Sequence, residues 1–173
     1  SGYYGNKKDN NTTIYTLDSG LTGLKEASSA FISATAESSE NSRIGVATFN
    51  AYGNNLSNLV NARDNKNSLK QTIASIYAAG GTSPQKGLSI VQTNLANSKH
   101  TDVPQYVILF TDGAPSEDTD KNDSKEIARQ LRESGITVYT VGLKLNDETS
   151  NWLSENIAST NCAFTAANVD ELK

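Results

Sequence analysis

Residues 105–110, Gln-Tyr-Val-Ile-Leu-Phe, form an almost unbroken apolar run of strand length. Such a strand has no polar face to turn towards water, so both of its faces must be covered, as at the centre of a parallel sheet. Ile136 to Leu143 reads as a second buried strand. Helical periodicity fills the spaces between. Leu24, Ala27, Phe31, Ile32 and Thr35 predict an amphipathic helix over 21–36. Arg43 to Phe49 alternates partly and is rich in β-formers, so it reads as a strand. Leu69, Ile73 and Ile76 give another helical stripe, ended by Gly80-Gly81. Ser83-Pro84 opens a third helix bearing Leu88, Val91 and Leu95.

Ser124 can cap a helix with Ile127, Ala128 and Leu131 that stops at Gly135. Thr149 or Ser150 opens the next, with Leu153 and Ile157, and Cys162 to Thr165 is a short last strand. Strand and helix alternating at this spacing predict an α/β, Rossmann-like, doubly wound and mostly parallel sheet with helices on both faces. The 173 residues suit one such domain, able to bury roughly two-thirds of its unfolded surface. In such sheets ligands sit at the carboxyl ends of the strands.

Several function classes fall away. A net charge of -4 with scattered Lys and Arg argues against nucleic acid. No apolar stretch approaches the roughly 18 residues that span a bilayer, so no membrane insertion is expected. Met is absent and there is no signal peptide, so the chain reads as a processed form or an excised fragment. The single cysteine, Cys162, forbids an internal disulfide and reads as a buried structural thiol. The lone His100 lies in the polar loop 97–102 and reads as solvated. With one His and one Cys a zinc site is implausible, and the Gly-x-Ser-x-Gly elbow, the dinucleotide fingerprint and the Walker lysine are all missing. No enzyme is expected. The acids Glu117, Asp118, Asp120 and Asp123 read as an exposed acidic loop or, functionally, as the rim of a binding face.

Two strand-to-helix junctions carry chemistry. Phe110-Thr-Asp-Gly-Ala-Pro115 puts the Asp112 carboxylate directly after a buried strand, with Gly113 allowing an immediate turn. Ala79-Gly-Gly-Thr-Ser-Pro84 brings the Thr82 hydroxyl to a helix start. Taken singly, each is also an ordinary turn or cap. Together they are hard oxygen ligands of the kind Mg²⁺ prefers, too few to encage it, so waters and a partner's oxygen would complete the shell.

In order, Arg43 to Phe49, Ala79 to Leu88, Tyr106 to Pro115, Gly135 to Gly142 and the ending Phe164 to Leu172 resemble the core segments of a von Willebrand factor A domain over residues 21–173. The resemblance implies a single domain over 1–173, with the family's final helix truncated. It also implies a metal-ion-dependent adhesion site in which Thr82 matches the threonine ligand and Asp112 the second aspartate. The implied cation is Mg²⁺, with Mn²⁺ or Ca²⁺ as substitutes.

The family's first metal motif, Asp-x-Ser-x-Ser after an apolar central strand, has no intact copy here. In one reading, Ser1 to Gly5 lies within or just beyond it, and the central strand belongs upstream of this chain. In the other, Thr12 to Asp18 is the strand and Asp18 to Thr22 is a degenerate motif. Hydrophobicity favours the first, because Thr-Thr-Ile-Tyr-Thr is polar for a strand covered on both faces. Stability favours the second, since losing a central strand would cost more than the roughly 5–15 kcal/mol a domain has to spare. The first is the preferred expectation, and it would leave cation affinity in this chain weak or absent.

What the resemblance implies is a protein-binding adhesion module that recognises an acidic group through a divalent cation. The Asn- and Ser-rich surface is similar to bacterial cell-surface or pilus-tip members. That places the chain outside the cell or on its surface, with a host extracellular-matrix protein or surface glycoprotein as partner. The alternative is an intracellular scaffold or chaperone-associated A domain that assembles complexes without obligatory metal.

Overall fold

The computed structural model describes residues 12–15, 21–77, 80–98, 100 and 102–167. In chain order these form β1 (Thr12–Tyr15), α1 (Leu21–Ser38), β2 (Arg43–Phe49), β3 (Gly53–Asn61), α2 (Lys66–Ala74) and α3 (Pro84–Ala96). There follow β4 (Tyr106–Thr111), α4 (Asp118–Glu133), β5 (Thr137–Leu143), α5 (Asp147–Asn156) and β6 (Ala163–Ala166). The strands make one six-stranded sheet in the order β3-β2-β1-β4-β5-β6. Every pairing is parallel except β2 with β3.

Alternation along the strands divides the core into two layers, as expected for a sheet covered on both faces. Ala47, Phe49, Val107, Leu109 and Val138 point to one face, where Leu88 and Val91 of α3, Leu131 of α4 and Leu153 of α5 cover them. Ile44, Val46, Phe110 and Leu143 point to the other, against Leu24 and Ile32 of α1 and Leu69 and Ile73 of α2. The three-layer α/β architecture read from the sequence is the one observed.

The central position is filled by Thr12–Tyr15. It pairs with β2 through Thr12↔Gly45 to Tyr15↔Thr48 and with β4 through Thr13↔Ile108 and Ile14↔Leu109. This corrects the preferred expectation of a central strand upstream of Ser1. The polar composition was a poor guide because a strand with ladders on both sides has its backbone groups satisfied whatever its side chains. The proposed degenerate motif begins outside the described residues at Asp18, as does the truncated final helix expected after residue 167.

Four further readings are corrected. Gly53–Asn61 was not anticipated as a strand, yet it is the antiparallel edge of the sheet. Ser124 does not cap α4 but lies buried within it, because the helix begins at Asp118 with acids in its first turn, where they favour the helix dipole. The start of α5 is set by Asn146, whose side chain accepts from the Thr149 amide, and not by Thr149 or Ser150. Gly135, at φ 84, ends α4 as read from the sequence. Cys162 is half-buried and not fully buried, with its Sγ 3.4 Å from the Thr160 carbonyl.

Candidate functional site

β2 and β4 both run parallel to β1, so their carboxyl ends lie on the same edge of the sheet. One intervening strand separates them, which sets their backbones roughly 10 Å apart. The end of β4 launches the turn that carries Asp112, whereas Thr82 lies in the segment between α2 and α3, which docks onto the end of β2.

The first turn joins α2 to α3, which corrects its reading as a strand-to-helix junction; it reaches the end of β2 by packing and not by chain connection. The Ser83 amide donates to the Asn50 carbonyl at 3.1 Å, and the Ala51 amide donates to the Gly80 carbonyl at 3.3 Å. These two bonds dock residues 80–83 onto the end of β2. Gly81 has φ 93, a left-handed conformation, and a Cβ added there would meet the Ala51 nitrogen at 3.1 Å. Only glycine takes both the angle and the close approach without strain. Thr82 follows, half-buried, just ahead of α3. Pro84 occupies the first helical turn, where a missing N–H costs nothing.

The second turn follows β4. Thr111 is fully buried; its Oγ1 donates to the Gly113 carbonyl at 2.6 Å and accepts from the Gly113 amide at 3.1 Å. This side-chain clasp folds the backbone sharply at Asp112, which is half-buried at the rim. The rim position matches the reading of Gly113 as the residue that keeps the carboxylate out of the core.

The first turn is tied to the start of α4, beyond the second turn, by a residue the sequence left in an acidic loop. Asp120 accepts from Ser83 Oγ through Oδ2 at 2.6 Å and from Gln85 Nε2 through Oδ1 at 2.6 Å. Ser83 and Gln85 are buried, and Asp120 is half-buried in the first turn of α4. Bonds to an ionised carboxylate are the strong kind, so this clasp holds the neighbour of Thr82 against the segment that follows Asp112. Around it, Gln85 Oε1 and Ser124 Oγ are buried with no hydrogen-bond partner. Asp120 could have been found from the sequence, since it lies one turn before Ser124 on the face of a helix whose start the run of acids marks.

Of the other acids, Glu117 and Asp118 are exposed at the start of α4 and Asp123 is exposed on it, in keeping with a solvated rim. Among the described residues no three His, Cys, Asp or Glu side chains gather as a metal cluster. A cation here would therefore rest on a sparse set of hard oxygens. Thr82 and Asp112 supply a hydroxyl and a carboxylate of that type, both reachable from solvent, and this donor chemistry fits Mg²⁺ or Mn²⁺ with water completing the shell.

Comparison with known proteins agrees with the architecture. The chain is 34% identical over 76 residues to the collagen alpha-4(VI) chain of Mus musculus, a stretch that covers 41% of this chain and 3% of that protein. It superposes on the von Willebrand factor domain of the type V pilus tip protein Mfa5 from Porphyromonas gingivalis. That match has a TM-score of 0.78 at 14% identity and covers 93% of this chain and 92% of that one. Proximal thread matrix protein 1 from the mussel byssus, in a structure with a zinc-occupied MIDAS motif, gives a TM-score of 0.70 at 18% identity. That comparison covers 93% of this chain and 42% of that one. None of the described helices is long and apolar enough to cross a membrane. The model of the von Willebrand factor type A domain matches residues 16–173, most of the sequence, and the chain belongs to that family.

Proposed function

We propose that the carboxyl edge of the sheet is an adhesive face. A divalent cation held by Thr82 and Asp112, with help from the loop after β1, would recognise an acidic side chain of a protein partner. The observation that carries this reading is the Ser83–Asp120 bond of 2.6 Å, which holds the turn bearing Thr82 against the first turn of α4, the helix that follows Asp112 in the chain. Neither turn alone offers more than one hard oxygen of this pair. When bound, the cation supplies an electrophilic centre for a carboxylate, and Thr82 and Asp112 leave part of its shell to solvent and partner.

Domains of this family generally serve adhesion or interaction and not catalysis. The pilus tip protein and the collagen chain among the relatives support a place outside the cell or on its surface. A matrix protein or surface glycoprotein is the partner class in keeping with that place. The zinc-occupied motif of the mussel protein supports metal binding at this edge, with Mg²⁺, Mn²⁺ or Ca²⁺ as the working ion.

Paramagnetic Mn²⁺ provides the test. Titrated into ¹⁵N-labelled protein, it should broaden the amide signals of Thr82 and Asp112 first, and Mg²⁺ in excess should restore them. Asp112→Ala should remove the effect while leaving the rest of the spectrum in place. Uniform or absent broadening in the native chain would refute the cation reading and leave the scaffold alternative.

A further inference from the structure

The opposite edge of the sheet carries a cleft that the adhesive reading does not use. It opens where β2 and β4 begin, beside the end of β3 and the last turn of α3. β4 is six residues long, which puts this edge roughly 20 Å from Asp112. The cleft has two arms, of about 270 and 360 Å³. Arg43, Leu59, Ser98 and His100 line both. The size is close to the lower end of small-ligand pockets, roughly 300–1,000 Å³.

Arg43 is the residue without a counterpart. Its Nη2 donates to Ser98 Oγ at 3.0 Å, and among the described residues the guanidinium makes no other hydrogen bond or ion pair. The remaining arginines differ. Arg63 is matched by Glu40 and two helix-end carbonyls, Arg129 by Glu126 and Glu133, and Arg132 by the carbonyls of Asn156 and Ile157. The acid nearest Arg43 in sequence, Glu40, is thus already engaged. Arg43 is half-buried and keeps most of its five donors for something else, in a fork that matches a carboxylate.

The larger arm is walled by amides in fixed orientations. Asn94 Nδ2 donates to Asn55 Oδ1 at 3.1 Å, and Asn55 Nδ2 donates to Asn58 Oδ1 at 2.7 Å. This relay leaves the Asn58 amide nitrogen as a donor and the Asn94 oxygen as an acceptor. Such a pair suits a hydroxyl-bearing ring, since a hydroxyl both gives and takes a hydrogen bond. The smaller arm is bounded by Val103, Pro104 and Tyr106, an apolar wall for the carbon face of the same ring.

From this arrangement we infer that the cleft is a second binding site, for a sugar that carries a carboxylate. Arg43 takes the carboxylate, with Ser98 holding the guanidinium in place. Asn58 and Asn94 take the hydroxyls. Because no cation enters, the site works independently of Thr82 and Asp112.

Titration of the ¹⁵N-labelled chain with sodium glucuronate in the presence of a chelator tests the assignment. Saturable shifts are expected at the Arg43 side-chain Nε–H and at the amides of Ser98 and His100. Glucose and sodium acetate at the same concentrations should give shifts at least about tenfold smaller, since each lacks half of the recognised chemistry. Arg43→Gln should weaken glucuronate binding by about tenfold or more. Asn97→Asp, at an exposed residue that lines the larger arm and makes no side-chain hydrogen bond among the described residues, should weaken it through repulsion even if the first variant folds poorly. Shifts that do not saturate, that acetate reproduces in full, or that survive in Asn97→Asp with unchanged affinity would overturn the inference. Chelator keeps the outcome separate from that at the carboxyl edge.

Discussion

Ser83 Oγ lies 2.6 Å from Asp120 Oδ2, a bond that joins the turn before α3 to the first turn of α4. Through it, two elements far apart in the chain share one carboxylate. Asp120 also accepts from Gln85, so each of its oxygens is engaged within the protein. Its role in this arrangement is to position the turn that carries Thr82. Asp120→Asn keeps the shape but loses the charge and presents donors where acceptors are needed. It should lower unfolding stability by about 1–3 kcal/mol in urea titrations. The Mn²⁺ broadening at Thr82 and Asp112 should weaken in parallel. A double-mutant cycle with Ser83→Ala should show coupling, whereas strict additivity would mean that the bond does not form in solution.

Gly80 and Gly81 are adjacent, yet their substitutions should behave differently. A Cβ at Gly80 meets nothing within 4 Å, whereas one at Gly81 would press on Ala51 in a left-handed conformation. Gly81→Ala should cost about 1–2 kcal/mol and disturb cation binding by shifting Thr82, while Gly80→Ala should be close to neutral. Thermal melts of the two variants, side by side, provide the comparison. Equal effects would show that the turn is not held as described.

Much of the fold was legible because its strands are extreme cases. Residues 105–110 have no alternative to a covered strand, and Arg43 to Phe49 differs by no residue from the observed β2. Gly53–Asn61 escaped because Asn, Gly and Ser dominate it, a composition that ordinarily signals a loop. Its residues are largely half-buried or exposed, so no apolar face needed to be written into them. Thr12–Tyr15 was read only as the less favoured of two alternatives, since its place is secured by partners on both sides that its polar sequence does not reveal. At the candidate site, the two turns were readable from Gly-Gly-Thr and Thr-Asp-Gly. The clasp to α4 was not, because it depends on how α3 and α4 pack, and Asp120 looked like any other acid in a polar run.

Lys25 is a buried cation on α1 whose Nζ donates to the Ala74 carbonyl, the last of α2, at 2.9 Å. Burial lowers its pKa from the ordinary 10.5, because desolvation penalises the charged form. Below the lowered value both folded and unfolded chains are protonated, and the folded state bears the full cost of the buried charge. Between that value and 10.5 the unfolded chain holds more protons, so stability rises with pH across the window. Compared with Lys25→Met, the native chain should therefore gain stability as the pH is raised towards 10.5. Urea unfolding of both proteins across that range measures it, and a difference independent of pH would contradict the buried charge.

Glu126 shows the opposite case at the surface. Hydrogen bonds from Arg129, then Gln130, hold its carboxyl at about 2, well below the usual range. The charged form gains in the fold, so the associated stability is present above the ordinary 4.5 and disappears as pH falls through the interval down to about 2. Carboxyl ¹³C titration should find Glu126 the more acidic and Arg129→Gln should return it towards its ordinary value. Because the pair is exposed, the same variant should leave the thermal midpoint almost unchanged at neutral pH.

α3 touches β1, β2 and β3 and also lies against α4. The segment that carries Thr82 leads directly into this helix. A pull applied at a partner-bound edge would therefore be shared among three strands and a second helix at once, and amide exchange under load would register their loosening together.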